Sequence, residues 1–475
     1  MDKRRARWAL YFTCLGAVMT VVDTTIVVVA LPSMIKELHL SSTSSTWILN
    51  AYTLSFGGFL LLSGRLGDLY GPRRLFLAGV VLFTAASLAC ASANTQILLV
   101  AARAVQGLGG AVVSAMALSL ILNLFSITAE RARALGIYTL VCSAGGGAGD
   151  LLGGLVTGAL DWRWIFLINL PIGIVVYVCC ATWLPADPPS RERRSLDAIG
   201  ATTITLSLAL MIAALVRVNE LGWLSPQTCG LIGLSAVLLV VFVRAEARAR
   251  EPLVPLAFFR QRSFTTANLI GILWTAGTTA WFVVSALYLQ RVLGYDPFHV
   301  GLCFLPSETL MAGFSAGMSD RIVTRFGIRR PLSLGLTLVA LGLTLFARAP
   351  LHATFLADVL PAMLLLGLGA GMASTPLLLA ATRDLENKDS GLASGIVNSS
   401  FMLGGALGLA TLVTLSEARS ATLLHSGTDT LTALTSGFHL AFALSAALTA
   451  TAAILTALMP STRSEVETVD YIIQH

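Results

Sequence analysis

The chain predicts an all-α integral membrane protein, and three observations carry that reading. Only 12% of its 475 residues are charged and 56% are hydrophobic, with a mean hydropathy of +0.80; soluble domains carry about 25% charged residues. Apolar runs recur along the whole length, each long enough for the roughly 20 helical residues that cross about 30 Å of hydrocarbon. The basic residues collect in alternate gaps between those runs.

Fourteen spans are expected, centred near Val18, Phe56, Leu82, Gly109, Gly146, Val175, Leu206, Leu238, Ala276, Leu310, Leu341, Gly369, Met402 and Ala447. The first run, Trp8 to Leu31, is too long for the core of a cleaved leader and lacks a small-residue cleavage site, so it reads as a span that stays. The gaps are short and leave no room for an inserted soluble domain. An even count puts both termini on one side. Loops on that side hold 24 Lys or Arg. The other side holds six (Lys36, Arg163, Arg217, Arg291, Arg348 and Arg419), and Arg103 lies inside a span. Such asymmetry places both termini in the cytoplasm. The net charge of +6 is therefore a topology signal, and nucleic acid is not an expected partner. All seven cysteines fall in apolar stretches without metal-ligand spacing and read as small packing residues.

An internal repeat organises the spans. GPRRLFLAG (71–79) and GIRRPLSLG (327–335) share G-x-R-R-x4-G at an offset of 256 residues. GLG recurs at 107–109 and 367–369, and A-x-G-I at 134–137 and 393–396, at offsets of 260 and 259. The offset pairs spans 1–6 with spans 9–14 and leaves spans 7 and 8 as an insertion. Two similar six-helix halves are the plan of transporters that rock around a site near the midplane. The expected divisions are residues 1–185 and 251–460 for the halves, 186–250 for the inserted pair, and 461–475 for a cytoplasmic tail.

Several motifs resemble the major facilitator superfamily. GRLGDLYGPRR (64–74) resembles its loop motif G-x-L-x-D-x-x-G-x-R-R, and RAVQGLGGA (103–111) its fourth-helix motif R-x-x-Q-G-x-G-x-A. DTTIVVVALP (23–32), TWILNAY (46–52), DWRWIFLINLPIG (161–173) and EPLVPLAFFRQRSF (251–264) resemble the fourteen-helix drug:proton antiporter branch. The resemblance implies the major facilitator fold, and a gating role for Gly64, Asp68, Gly71, Arg73 and Arg74 as a latch between halves. Val28 stands where the family commonly has Asn. The antiporter motif G-x-x-x-G-P-x-x-G-G is matched by Gly145, Gly149, Gly153 and Gly154, with Asp150 in place of the proline.

Four charges lie well inside apolar runs: Asp23, Arg103, Asp150 and Glu308. A charge at a span centre costs roughly 2.5–3.5 kcal/mol on insertion scales, so such residues face the bundle interior and find partners. At 1.5 Å per residue, Asp23, Arg103 and Asp150 share a level roughly 10–14 Å below the external surface. The glycine stripes on span 5 let a neighbouring helix approach closely. Arg103 is thus expected within reach of both Asp23 and Asp150, and two acids sharing one base leave one free to hold a proton reversibly. The alternative is a fixed ion pair that specifies packing. Glu308 is a candidate counter-charge for a cation or a second proton carrier; the alternative is a glutamate bonded to Ser307 or Thr309. Asn50, Tyr52, Gln106, Trp274 and Trp281 are weaker candidates for substrate contact, as are Phe282 and Tyr288, since most membrane aromatics are anchors or packing.

An intramembrane enzyme is the reading from another class. GFSAG (313–317) fits G-x-S-x-G, but it lies in an apolar helix with no strand before it, where a nucleophile elbow is not built. No HExxH or P-loop string occurs. A non-transporting sensor and a symporter importing a small metabolite are further alternatives. The expectation is a monomeric, multi-pass exporter in a bacterial plasma membrane, with no cofactor. It would be driven by protons, each charge yielding about 2.3 kcal/mol per 100 mV, and would expel lipophilic, cationic drugs or antibiotics. Its expected partners are that substrate, protons and membrane lipid.

Overall fold

The computed structural model describes residues 3–38, 42–125, 128–187, 198–249, 256–295, 297–317, 319–382, 390–457 and 459. Among them every regular element is helical, as hydrocarbon demands of a chain whose backbone groups must bond within each segment. The N-terminal elements are α1 (Lys3–Glu37), α2 (Ser42–Tyr70), α3 (Pro72–Ala91), α4 (Gln96–Leu124), α5 (Thr128–Ala159), α6 (Trp164–Leu167) and α7 (Asn169–Trp183). A hairpin of α8 (Ala198–Leu221) and α9 (Pro226–Glu246) follows. The C-terminal elements are α10 (Arg262–Arg291), α11 (Pro297–Gly317), α12 (Ser319–Phe326), α13 (Arg329–Phe346), α14 (Leu360–Thr382), α15 (Ser390–His425) and α16 (Thr430–Ala457).

A helix covers each of the fourteen expected centres. Eleven described helices are long and apolar enough to cross a membrane by length and composition. Outside that set are α5, α8 and α11, with α8 contributing a shorter apolar stretch over Ile199–Leu215. Eleven, rather than fourteen, is the count that length and composition establish. Two features differ from the expected plan of plain spans. Span 6 is broken at Ile168 into α6 and α7, and the short amphipathic α12 connects α11 to α13.

The repeat is visible as repeated packing. Gly107 on α4 lies so close to α2 that a β-carbon would stand 2.4 Å from the Tyr52 carbonyl oxygen; Gly367 on α14 meets the Ser307 carbonyl of α11 at 2.2 Å. Two residues on, Gly109 abuts Phe83 of α3, and Gly369 abuts Gly335 and Val339 of α13. Gly71 and Gly327, which open the two G-x-R-R strings, both have positive φ, 96° and 71°. Only glycine adopts that conformation freely, which accounts for the letter at both places.

The halves meet unequally at the two ends of the bundle. Near the described ends of the chain one apolar cluster draws on both, including Leu10, Ile121 and Leu135 from the first and Ile270, Leu336 and Leu377 from the second; Met459, the last described residue, joins it. At the far end the clusters are separate. Ile26, Met34, Ile48, Leu99 and Phe166 form one, and Trp281, Tyr288, Phe346, Met363 and Phe442 another. The structure is closed on the terminus side and divided on the other.

Gly107→Val and Gly367→Val are each expected to lower the thermal-unfolding midpoint of the detergent-solubilised protein. Overpacking costs about 1–3 kcal/mol, and here backbone would have to yield. Gly230→Ala on α9, with open space around the added carbon, is expected to leave the midpoint unchanged or slightly raised.

Candidate functional site: a buried ion pair and a polar contact across the halves

Asp23 of α1 and Arg103 of α4 form a salt bridge of 2.5 Å, with both side chains essentially inaccessible. The surroundings complete it. The second carboxylate oxygen of Asp23 accepts from Gln106 Nε2 at 2.7 Å and Asn169 Nδ2 at 2.8 Å. Arg103 also donates to Gln106 Oε1 at 2.6 Å and, through Nε, to the Ile48 carbonyl at 3.2 Å. Ser87 Oγ of α3 accepts from Gln106 at 2.8 Å and Asn169 at 3.3 Å. The guanidinium lies 4.3 Å from the Tyr52 ring centre, a cation–π arrangement. Five helices therefore contribute to one buried polar network. Its members hold one another: removing one partner of a buried pair costs about 3–5 kcal/mol because a charge is left unmatched.

The expected proximity of Arg103 to Asp23 is present. The side chain of Asp150 and the surroundings of Gly154 lie outside what is described. The backbone of α5 is placed, however. A β-carbon on Gly149 would meet Thr25 Oγ1 and the Val22 backbone of α1, so position 150 stands level with Asp23. Gly145 faces Val18 one turn lower, and Gly153 is buried and accepts from the Thr157 hydroxyl. The Thr25 hydroxyl donates to the Gly146 carbonyl at 3.2 Å, tying α1 to α5.

Of the loop motif, Gly64 and Asp68 reach the other half. Asp68 accepts from the Gly391 and Leu392 backbone N–H groups, each at 2.8 Å. These are orphan donors in the first turn of α15, where the helix dipole also favours a negative charge. Gly64 permits the approach, since its β-carbon would stand 2.3 Å from the Gly391 carbonyl oxygen. The arginines expected in the latch do other work. Arg73 Nη2 donates to the Ala181 carbonyl of α7 at 2.5 Å, and the Arg73 and Arg74 backbone N–H groups donate to Asp187, each at 3.0 Å. Gly71 leaves room for that carboxylate beneath the turn. Arg73 and Asp187 thus secure α3 within the first half, and the Arg74 side chain is exposed.

In the second half, Glu308 is half-buried on α11 and has no hydrogen bond or ion pair among the described residues. The Ser307 hydroxyl donates instead to the Phe304 carbonyl at 2.7 Å. Pro306 lies within the same helix and removes a backbone donor next to it. Trp274 and Trp281 stand two turns apart on α10, and both indole N–H groups are buried without a hydrogen-bond partner among the described residues. Trp281 packs edge-on against Phe304 of α11. Asn50 is half-buried on α2. Tyr52 and Gln106 belong to the ion-pair network and present almost no surface in this state. Tyr288 is closed off, its hydroxyl donating to the Pro350 carbonyl at 2.7 Å, whereas Phe282 is exposed. Ser315 of GFSAG sits within α11, without the strand-to-helix elbow of a nucleophile. Cys229 departs from the expected packing role: it is exposed near the start of α9.

Asn169, Ser87 and Asp187 are the participants that sequence reasoning passes over. Asn169 carried a signal, being the one amide in the apolar stretch Ile165–Cys180. Ser87 and Asp187 carried none, because isolated serines and loop aspartates are common.

The sequence profile of the Major Facilitator Superfamily matches residues 13–409. The puromycin resistance protein of Streptomyces alboniger is 34% identical over 470 residues, covering 98% of this chain and 93% of the relative. The cephamycin export protein of Amycolatopsis lactamdurans is 36% identical, covering 86% and 85%. The lincomycin resistance protein of Streptomyces lincolnensis is 35% identical, covering 87% and 85%. Among solved structures, the proton:xylose symporter XylE superposes with a TM-score of 0.68 at 15% identity, covering 99% of this chain and all of that one. The human organic anion transporter MFSD10 also gives 0.68 at 15%, covering 95% and 99%. At that identity the two structures speak for the fold alone. Profile, relatives and fold agree: the chain is a multi-pass membrane protein of the major facilitator superfamily.

Proposed function

We propose that the chain is a proton-driven exporter of amphiphilic, cationic, antibiotic-like compounds across a bacterial plasma membrane. The observation that carries the reading is the buried Asp23–Arg103 pair, set deep in one half of a bundle that is divided at the end away from its termini. Relatives named for puromycin resistance and cephamycin export support outward transport of an antibiotic-like cargo. With 24 basic residues on the terminus side against six opposite, that side is cytoplasmic, and the divided end faces outward.

On this reading the pair is the proton-responsive element. A proton on Asp23 removes the charge that balances Arg103 and leaves a guanidinium unmatched in a dry bundle. That state is costly unless the bundle rearranges or another acid takes over. Asp150, level with Asp23, is the acid placed to do so, and Arg103 would change partners as the proton arrives. In the second half, Glu308 would face the cationic group of the cargo, while Trp274 and Trp281 offer aromatic surface and two unsatisfied donors to its body. Binding of cation and proton then oppose one another, and the gradient of one drives the other outward.

The test is transport in proteoliposomes under an imposed pH gradient, with a panel of cationic and neutral antibiotics and a pH dye. Asp23→Asn is expected to remain folded and to lose drug-dependent proton movement by tenfold or more, since about 1.4 kcal/mol of lost coupling already corresponds to that factor. Retained coupling would remove Asp23 from the mechanism. Asp150→Pro, which restores the family letter, is expected to fold and to lose the pH dependence of export; unaltered pH dependence would show that Asp150 does not couple. Glu308→Gln is expected to reduce export of cationic compounds and spare neutral ones, and an equal loss for both would exclude a counter-charge role.

A further inference from the structure

We propose that the inserted hairpin α8/α9 is a brace that holds the terminus side closed: α8 packs at once on α2 of the first half and α15 of the second, across the seam. The hairpin is a unit. The Ser207 hydroxyl of α8 donates to the Ser235 carbonyl of α9 at 2.9 Å, and the Ser235 hydroxyl returns a bond to the Ser207 carbonyl at 2.8 Å. Both serines are buried, a reciprocal polar contact of the kind that joins helices where the surroundings are apolar.

The two ends of α8 are engaged differently. Toward the divided end, Leu215 and Val218 cluster with Ala410 of α15, with Met211 and Ala406 alongside, and among the described residues none of the first half belongs to that cluster. Toward the terminus side, α8 touches both halves at once. A β-carbon on Gly57 of α2 would overlap Ile212 of α8 and approach Met402 of α15, so three helices meet there. One residue on, Gly58 faces Ala209 at 3.2 Å. Still nearer the termini, Ala201 and Ile204 share a cluster with Leu61 of α2 and with Leu392 and Ile396 of α15. Leu392 is also one of the two residues whose N–H groups Asp68 holds. The brace and the latch stand side by side.

Opening the terminus side requires α2 and α15 to part there as one half rocks against the other. Because α8 packs on α2 and on α15 across the seam, it cannot keep both sets of contacts as they part. Either its contacts with Gly57, Gly58 and Leu61 of α2 or those with Leu392 and Ile396 of α15 then have to break. An interaction made in one of two states shifts the population toward that state. The insertion therefore biases the protein toward the state seen here and raises the threshold for opening, independently of the charge on Asp68.

The experiment is a spin–spin distance measurement on the full-length protein, with labels at Tyr70→Cys and Phe326→Cys, exposed positions on opposite halves at the terminus side, in a Cys229→Ser background. It is run without substrate or gradient, so its outcome is separate from the exporter reading. Gly58→Leu, which forces α8 off α2 and leaves Gly64, Asp68 and α15 untouched, is expected to raise the long-distance population by about tenfold. Ile212→Ala removes atoms instead of adding them; it is expected to shift the distribution the same way by a smaller factor and keeps the test informative if Gly58→Leu does not fold. Asp68→Asn serves as the reference for an opened latch. If Asp68→Asn shifts the distribution while every folded α8-contact variant matches the parent, α8 is a passenger and the proposal fails.

Discussion

The structure is arranged around one constraint: a charge removed from water has to be matched on the spot. Asp23 meets it with three donors on its two oxygens, and Arg103 with a carboxylate, an amide oxygen, a backbone carbonyl and an aromatic face. Those partners come from α1, α2, α3, α4 and α7, so the first half cannot be assembled loosely around the pair. The first residue of α7, Asn169, completes the set with the amide it donates to Asp23.

The seam between halves follows a different rule. It is lined by apolar side chains and glycines, with its polar contact, Asp68 on the first turn of α15, placed at the terminus-side end. Gly64 and Gly391 make that contact possible by bringing two backbones together. A polar bond at a helix end is exchanged for water at small net cost, whereas a bond buried as deeply as that of Asp23 is not. Where each charge sits thus decides how readily its contacts can be exchanged.

Much of this was legible in the letters, for reasons particular to membranes. Hydrocarbon demands long apolar helices, so the centres of the spans stand out, while their ends do not. α1 and α15 run for 35 and 36 residues because a helix stays satisfied after it leaves the apolar layer. The pairing of Asp23 with Arg103 was readable because few charges exist at that depth and each needs a partner. The repeat was readable through glycines whose close contacts recur at α2/α4 and α11/α14. Neutral partners such as Ser87 were hidden, since nothing in a serine's letter tells a bond to its own helix from one to a neighbour. The place of Arg73 was hidden for a related reason: a guanidinium reaches far, and its letter does not tell that it turns back to Ala181 in this structure.

α2 connects the parts. Its Ile48 carbonyl accepts from Arg103 and its Tyr52 ring covers the guanidinium; Tyr52 stacks on Phe56 with ring centres 5.7 Å apart. The next residues, Gly57 and Gly58, meet α8 and α15, and Gly64 and Asp68 close on α15. From Ile48 to Asp68 is about 30 Å along one uninterrupted helix, at 1.5 Å per residue. Few side chains need to relay anything between the ion pair and the seam, because a single rigid element touches both. A change of partner at Arg103 that tilts α2 would strain the brace and the latch together, and opening both would in turn release α2 from the position that stacks Tyr52 on Arg103. On the proposed reading, a proton bound deep in one half and a gap opened at the end of the bundle are two consequences of where one helix lies.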